Sequence, residues 1–81
     1  MSNGTILITG AAKRLGKFLA ITFSKIGYDI ALHYNSSKKE ALEVQKIIQS
    51  NNVRCHIFQS DLQNIQNCKK LVTDVKTYFG K

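Results

Sequence analysis

A chain of 81 residues holds one small domain and excludes a two-domain enzyme, because a single core takes about 100 to 150 residues to be well buried. Twelve Lys and Arg against five Asp and Glu leave a net charge of +7, which favours an anionic partner such as a phosphate or nucleic acid without fixing a fold. With 43% hydrophobic residues, 21% charged residues and no proline, the composition is globular and excludes a disordered, collagen-like or linker chain.

Thr5-Ile6-Leu7-Ile8-Thr9 is a β-branched, apolar run, the pattern of a strand buried on both faces in a parallel sheet. After Gly10-Ala11-Ala12, the residues Leu15, Phe18, Leu19, Phe23 and Ile26 recur at helical spacing. They predict a helix buried along that stripe and stopped by Gly27. Residues 28–34 predict a second strand centred on Ile30-Ala31-Leu32 and broken by Asn35. Ser37-Lys38-Lys39-Glu40 fits a capping box, in which Ser37 accepts from the Glu40 amide. Ala41, Val44, Ile47 and Ile48 then predict a second helix ending near Asn51-Asn52. Residues 53–59 predict a third strand. Ile65, Cys68, Leu71, Val72, Val75 and Phe79 predict a third helix closed by Gly80.

Strands alternating with helices require parallel pairing through right-handed crossovers. The expected fold is therefore α/β, the βαβαβα half of a doubly wound sheet with strand order 3-2-1. Cys55 and Cys68 are too few for a disulfide framework and form no Cys-x-x-Cys pair, and with His33 and His56 they lack recognisable zinc spacing. No apolar run approaches the roughly 18 residues of a membrane span, and Met1-Ser2-Asn3-Gly4 does not start a secretory signal. The expected setting is a reducing cytoplasm.

Thr9-Gly10-Ala11-Ala12-Lys13-Arg14-Leu15-Gly16 lies between the first strand and the first helix, where a parallel sheet places phosphate against free helix amides. The fingerprint G-x-G-x-x-G does not fit. The phosphate loop G-x-x-x-x-G-K-[ST] fails too, because five residues separate the glycines and Phe18 stands where a hydroxyl must hold magnesium. A kinase or ATPase is disfavoured.

The segment resembles the short-chain dehydrogenase/reductase family, whose turn is T-G-x-x-x-G-x-G, with Arg14 in place of the middle glycine. In this form it is most similar to the pteridine reductases and dihydromonapterin reductases. Two further stretches carry the resemblance across essentially the whole chain. One is His33-Tyr34-Asn35-Ser36-Ser37, at the strand end where the adenosine ribose lies; the other is Ser60-Asp61-Leu62, which looks like the family's adenine contact.

NAD sites typically carry an Asp or Glu at the ribose position, and this chain has none there. Asn35, Ser36 and Ser37, with Lys13, Arg14, Lys38 and Lys39 nearby, remove a repulsion and offer donors to a 2′-phosphate. The expected cofactor is NADP(H), held by Gly10, Lys13, Arg14, Leu15, Gly16, Tyr34, Asn35, Ser36, Ser37, Ser60, Asp61 and Leu62. Plainer roles stay open. The glycines can serve the turn alone, Lys13 and Arg14 can be solvated cations, Asp61 can cap the third helix, and His33 and His56 can be packed strand residues.

The resemblance also implies a catalytic Tyr with a Lys three or four residues on, and an Asn-Asn-Ala-Gly element after a fourth strand. Only Tyr34 and Lys38 have a fitting spacing, and they lie where the adenosine belongs. The expectation is thus residues 1–81 as the nucleotide-binding part of a longer NADPH-dependent reductase of a pterin or similar ring or carbonyl. The 81-residue chain itself is expected to be inactive, to self-associate through an open first-strand edge, and to expose Leu71, Val72, Val75 and Phe79; the family's usual homotetramer would need segments beyond it. The rival expectation is a stand-alone basic module for nucleotide or nucleic acid, although no nucleic-acid motif is present.

Overall fold

The computed structural model describes residues 3–10 and 14–80. They form β1 (Thr5–Ile8), α1 (Arg14–Lys25), β2 (Asp29–Tyr34), α2 (Lys38–Gln49), β3 (Cys55–Gln59) and α3 (Ile65–Phe79). The three strands are parallel in the order β1-β2-β3, as the alternation of strands and helices requires. This is a Rossmann-type βαβαβα half-sheet with β2 in its middle.

All six residues of β2 are buried. Ile30 stands between Ile6 and Cys55, and Leu32 between Ile8 and Ile57. This face packs against Ala20 of α1 and Ala41, Val44 and Ile48 of α2 to make the main core. Burial pushes the Cys55 thiol up to about 12, so it stays neutral and poorly nucleophilic at ordinary pH.

The buried stripe of α1 differs from the expected one. Leu15 and Phe18 are 68% and 66% exposed, and Ile26 is also exposed, whereas Ala20 and Ser24 are buried. Small side chains bring the helix close to the sheet, and periodic large apolar residues do not reveal that. Ser24 is satisfied in its burial, donating to the Ile21 carbonyl and accepting from the Asn51 side chain at 2.9 Å, which ties α1 to the end of α2.

The other sheet face carries Ala31, His56 and Phe58 and is covered by α3. Tyr78 stacks on His56 with ring centroids 4.1 Å apart, and Phe79 lies 6.4 Å from Phe58. The expected exposure of the α3 stripe therefore needs correction: Leu71 and Phe79 are buried, Val75 is half-buried and only Val72 is well exposed. The strand rings supply the apolar surface on which this helix rests.

At the amino ends of the strands, buried Asp29 accepts from the Arg54 backbone amide at 2.8 Å and from its guanidinium at 3.1 Å. The same guanidinium lies 5.0 Å above the Phe79 ring, joining β2, β3 and α3. Among the described residues no helix is long and apolar enough to cross a membrane.

The corrected face of α1 sets a direct test. Ala20→Leu should destabilise the chain by about 1–3 kcal/mol through overpacking. Phe18→Gln should stay within about 0.5 kcal/mol of the parent. Urea unfolding followed by circular dichroism measures both, and a larger loss at Phe18 than at Ala20 would contradict the assignment.

Candidate functional site

The carboxyl ends of the three strands bring the turns after β1, β2 and β3 to one rim. Gly10 turns the chain out of β1 with φ +62°, a left-handed conformation that suits glycine. Among the described residues nothing lies within 4 Å of where its Cβ would stand, which leaves its backbone open to close approach on their side. Its N–H donates to Nδ1 of His33 at 3.1 Å. Nε2 of the same ring lies 2.8 Å from the Ser60 carbonyl. An amide N–H can only donate and a carbonyl can only accept, so these partners assign the ring as the neutral Nε2–H tautomer.

Further bonds close the rim between β2 and β3. The Ser60 amide donates to the Tyr34 carbonyl at 3.1 Å, and the Gln59 side chain donates to the Asn35 carbonyl at 3.0 Å. Asp61 accepts from the Gln63 amide at 3.0 Å, while its carbonyl accepts from the Asn67 side chain at 2.9 Å. Asp61 therefore shapes the turn and is not the cap of α3. That cap is Asn64, which accepts from the Gln66 amide at 2.7 Å. Leu62 is half-buried, and its carbonyl faces the Cys68 thiol at 3.5 Å. A pocket of about 420 Å³ opens beside this turn, lined in part by Gln59, Ser60, Asp61, Asn67 and Lys70.

The structure thus joins Gly10, Tyr34, Asn35, Ser60 and Asp61. Among the described residues the hydrogen bonds of the rim do not include Arg14, Leu15, Gly16, Ser36 or Ser37; Lys13 lies outside the described residues. Arg14 is exposed and opens α1, whose first turn has no acidic residue. Asn35 and Ser36 are exposed, and Ser37 is half-buried. The expected capping box is not formed at Ser37. Its backbone, at φ −97° and ψ 57°, is not in the extended geometry a capping hydroxyl uses, and its side chain makes no cap bond.

Tyr34 belongs to the main core, the residue being 8% exposed, so it contributes its main chain to the rim and is not poised to donate a proton with Lys38. His33 is the residue that sequence reasoning undervalued. The available signal was a polar side chain one residue short of the strand's carboxyl end, in a strand otherwise apolar at its centre.

Arg14 adopts φ +52°. This is the position where the T-G-x-x-x-G-x-G turn carries glycine, and the left-handed conformation explains that preference, since any Cβ is penalised there. A non-glycine residue held in this conformation stores strain beside a prospective ligand. Arg14→Gly should therefore raise stability by up to about 1 kcal/mol, the relief being partly offset by the greater freedom of glycine when unfolded. Thermal melting of the unliganded chain checks it; destabilisation would contradict a strained Arg14.

A family profile described as short chain dehydrogenase matches residues 4–81. The uncharacterized oxidoreductase YhdF of Bacillus subtilis is 35% identical over 75 residues, covering 93% of this chain and 26% of that protein. Hydroxynaphthalene reductase arp2 of Aspergillus fumigatus is 30% identical over 81 residues, 100% of this chain and 30% of that protein. A crystal structure from Burkholderia cenocepacia, described as a dehydrogenase with bound NADP, superposes with a TM-score of 0.94 at 32% identity, covering 99% of this chain and 31% of that one. The chain spans under a third of the length of these relatives.

Proposed function

The chain belongs to the short-chain dehydrogenase family, and from that premise we propose that residues 1–81 are the NADP(H)-binding part of a reductase acting on a pterin or a similar ring or carbonyl substrate. The carboxyl end of β2 carries the cofactor reading. Asn35 and Ser36 stand exposed there with no carboxylate among residues 35–37, and exposed Arg14 opens the neighbouring helix. The NADP bound to the Burkholderia cenocepacia relative supports the same reading.

The residues present fit the dinucleotide. The open backbone at Gly10 admits the pyrophosphate, with Leu15 and Gly16 in the first turn of α1. Arg14, Asn35, Ser36 and Ser37, with Lys38 and Lys39 at the start of α2, donate to the 2′-phosphate. Lys13 is assigned to the same anion by sequence. Asp61 uses Oδ1 within its own turn and offers Oδ2 to the adenine amino group, between Ser60 and Leu62. When bound, the dinucleotide supplies a hydride to the substrate. Tyr34 is committed to the core, so the 81-residue chain should leave NADPH unoxidised in the presence of a dihydropterin.

The nucleic-acid reading gains no support from the fold. His56 and Phe58, the strand rings that would serve for base stacking, are covered by Tyr78 and Phe79. Titration of the chain with NADPH, NADH and single-stranded DNA at two salt concentrations separates the readings. Arg14→Ala should weaken NADPH binding by about 1.5–3 kcal/mol and NADH binding far less. Equal weakening of the two would remove the 2′-phosphate assignment, and a steeply salt-dependent affinity for DNA exceeding that for NADPH would favour the basic module.

We also propose that the 81-residue chain self-associates along β1. Among the described residues β1 pairs only with β2, and a groove of about 320 Å³ runs beside it, lined by Thr5, Leu7, Val72, Val75, Lys76 and Phe79. Thr5 Oγ1 is buried here without a hydrogen-bond partner among the described residues. An unpaired strand edge beside apolar side chains templates further pairing. Leu7→Lys places a charge in this groove, whereas Ile6 packs against the main core. Light scattering should give a mass above that of a monomer, reduced by Leu7→Lys; a monomeric parent chain would reject the edge argument.

A further inference from the structure

We propose that His33 is a positioning residue for dinucleotide binding, fixing the distance between the Gly10 turn and the Ser60 turn. The proposal rests on the cofactor reading above, which assigns pyrophosphate to the first turn and adenine to the second.

The central strand carries an oddity. β2 is buried throughout, and His33 is only 5% exposed. A polar ring at such a place costs free energy unless its nitrogens are paired. Both are paired, and both with main-chain atoms of other segments, Gly10 at 3.1 Å and Ser60 at 2.8 Å. These partners belong to the ends of β1 and β3, which are not neighbours in the sheet. Two strand spacings, about 10 Å, separate such strands, so no backbone ladder can join them directly. The imidazole spans β2 and does so by itself, with an acceptor on one side and a donor on the other. Among the described residues no other side chain hydrogen-bonds to both turns.

Main-chain partners make this a device for spacing. Changing the side chain at residue 60 would leave the carbonyl in place, and Gly10 has no side chain. An aliphatic residue at position 33 could fill the volume but would leave the Gly10 N–H and Ser60 carbonyl without their ring partner. The two turns would then lose their common reference while the rest of β2 kept its pairing. A ligand that touches both turns depends on their separation; a ligand confined to the β2 and β3 ends does not.

The test therefore compares NADPH with adenosine 2′-monophosphate, both titrated into the 81-residue chain. His33→Leu is expected to raise the Kd for NADPH about tenfold and that for the mononucleotide less than about twofold. His33→Gln, whose amide again offers one acceptor and one donor group, is expected to bring NADPH back to within about threefold of the parent. Equal weakening of both ligands, or unchanged NADPH binding in His33→Leu, overturns the positioning role. If the parent chain binds neither ligand, the cofactor reading itself fails, and the positioning of the turns is decided by nuclear magnetic resonance of the parent. Ring ¹⁵N shifts of the Nε2–H tautomer and a slowly exchanging Gly10 amide uphold it; a mixed tautomer or a rapidly exchanging Gly10 amide overturns it.

Discussion

The complete burial of β2 is the constraint on which the rest of this structure depends. A central parallel strand has neighbours on both edges and layers on both faces, so every polar side chain it carries must be satisfied by protein. Two such residues stand near its ends. Asp29 recruits Arg54 at the amino end, and His33 recruits Gly10 and Ser60 toward the carboxyl end. The apolar stretch between them, Ile30-Ala31-Leu32, sets the register of both flanking strands. One end of the strand is thereby anchored by charge and the other by a neutral ring, and only the latter reaches segments suited to holding a ligand.

The layers on either face follow from side-chain size. On the α1 and α2 face, alanine and serine let the first helix lie against the sheet. On the opposite face, wider rings from β3 meet Tyr78 and Phe79 of α3. Among the described residues neither layer covers the carboxyl ends of the strands, which is where open α/β sheets receive their ligands.

Much of this was legible in the sequence. Alternating β-branched runs and helical periodicity gave the six elements and the 3-2-1 order, and Gly27 and Gly80 stand where helices end. The prospective site was legible as a place, since Gly10, Asn35 and Ser60 each follow a strand. What could not be read depended on tertiary geometry. Periodicity weighs hydrophobicity, so it favoured Leu15, Phe18 and Ile26 over Ala20 and Ser24, although the smaller residues make the closer contact. The capping motif at Ser37 matched in composition but not in backbone angle. Asp61 and Asn64 are both plausible caps by residue type, and only the path of the turn separates them. His33 carried a signal in its polarity, but the two turns it joins are brought together only by the sheet.

The outer face of α1 has a further consequence, for colloidal behaviour. Leu15, Phe18, Leu19 and Ile26 together present an apolar surface on the outside of the folded unit. In dilute buffer the net charge of +7 opposes contact through this face, whichever way copies pair along β1, because repulsion acts at distances where short-range apolar attraction has no reach. The Debye length is about 30 Å at 0.01 M salt and about 3 Å at 1 M, so added electrolyte removes that protection while leaving the oily face unchanged. Added salt therefore acts on this face twice, by screening the repulsion and, with salts excluded from protein surfaces, by strengthening apolar burial.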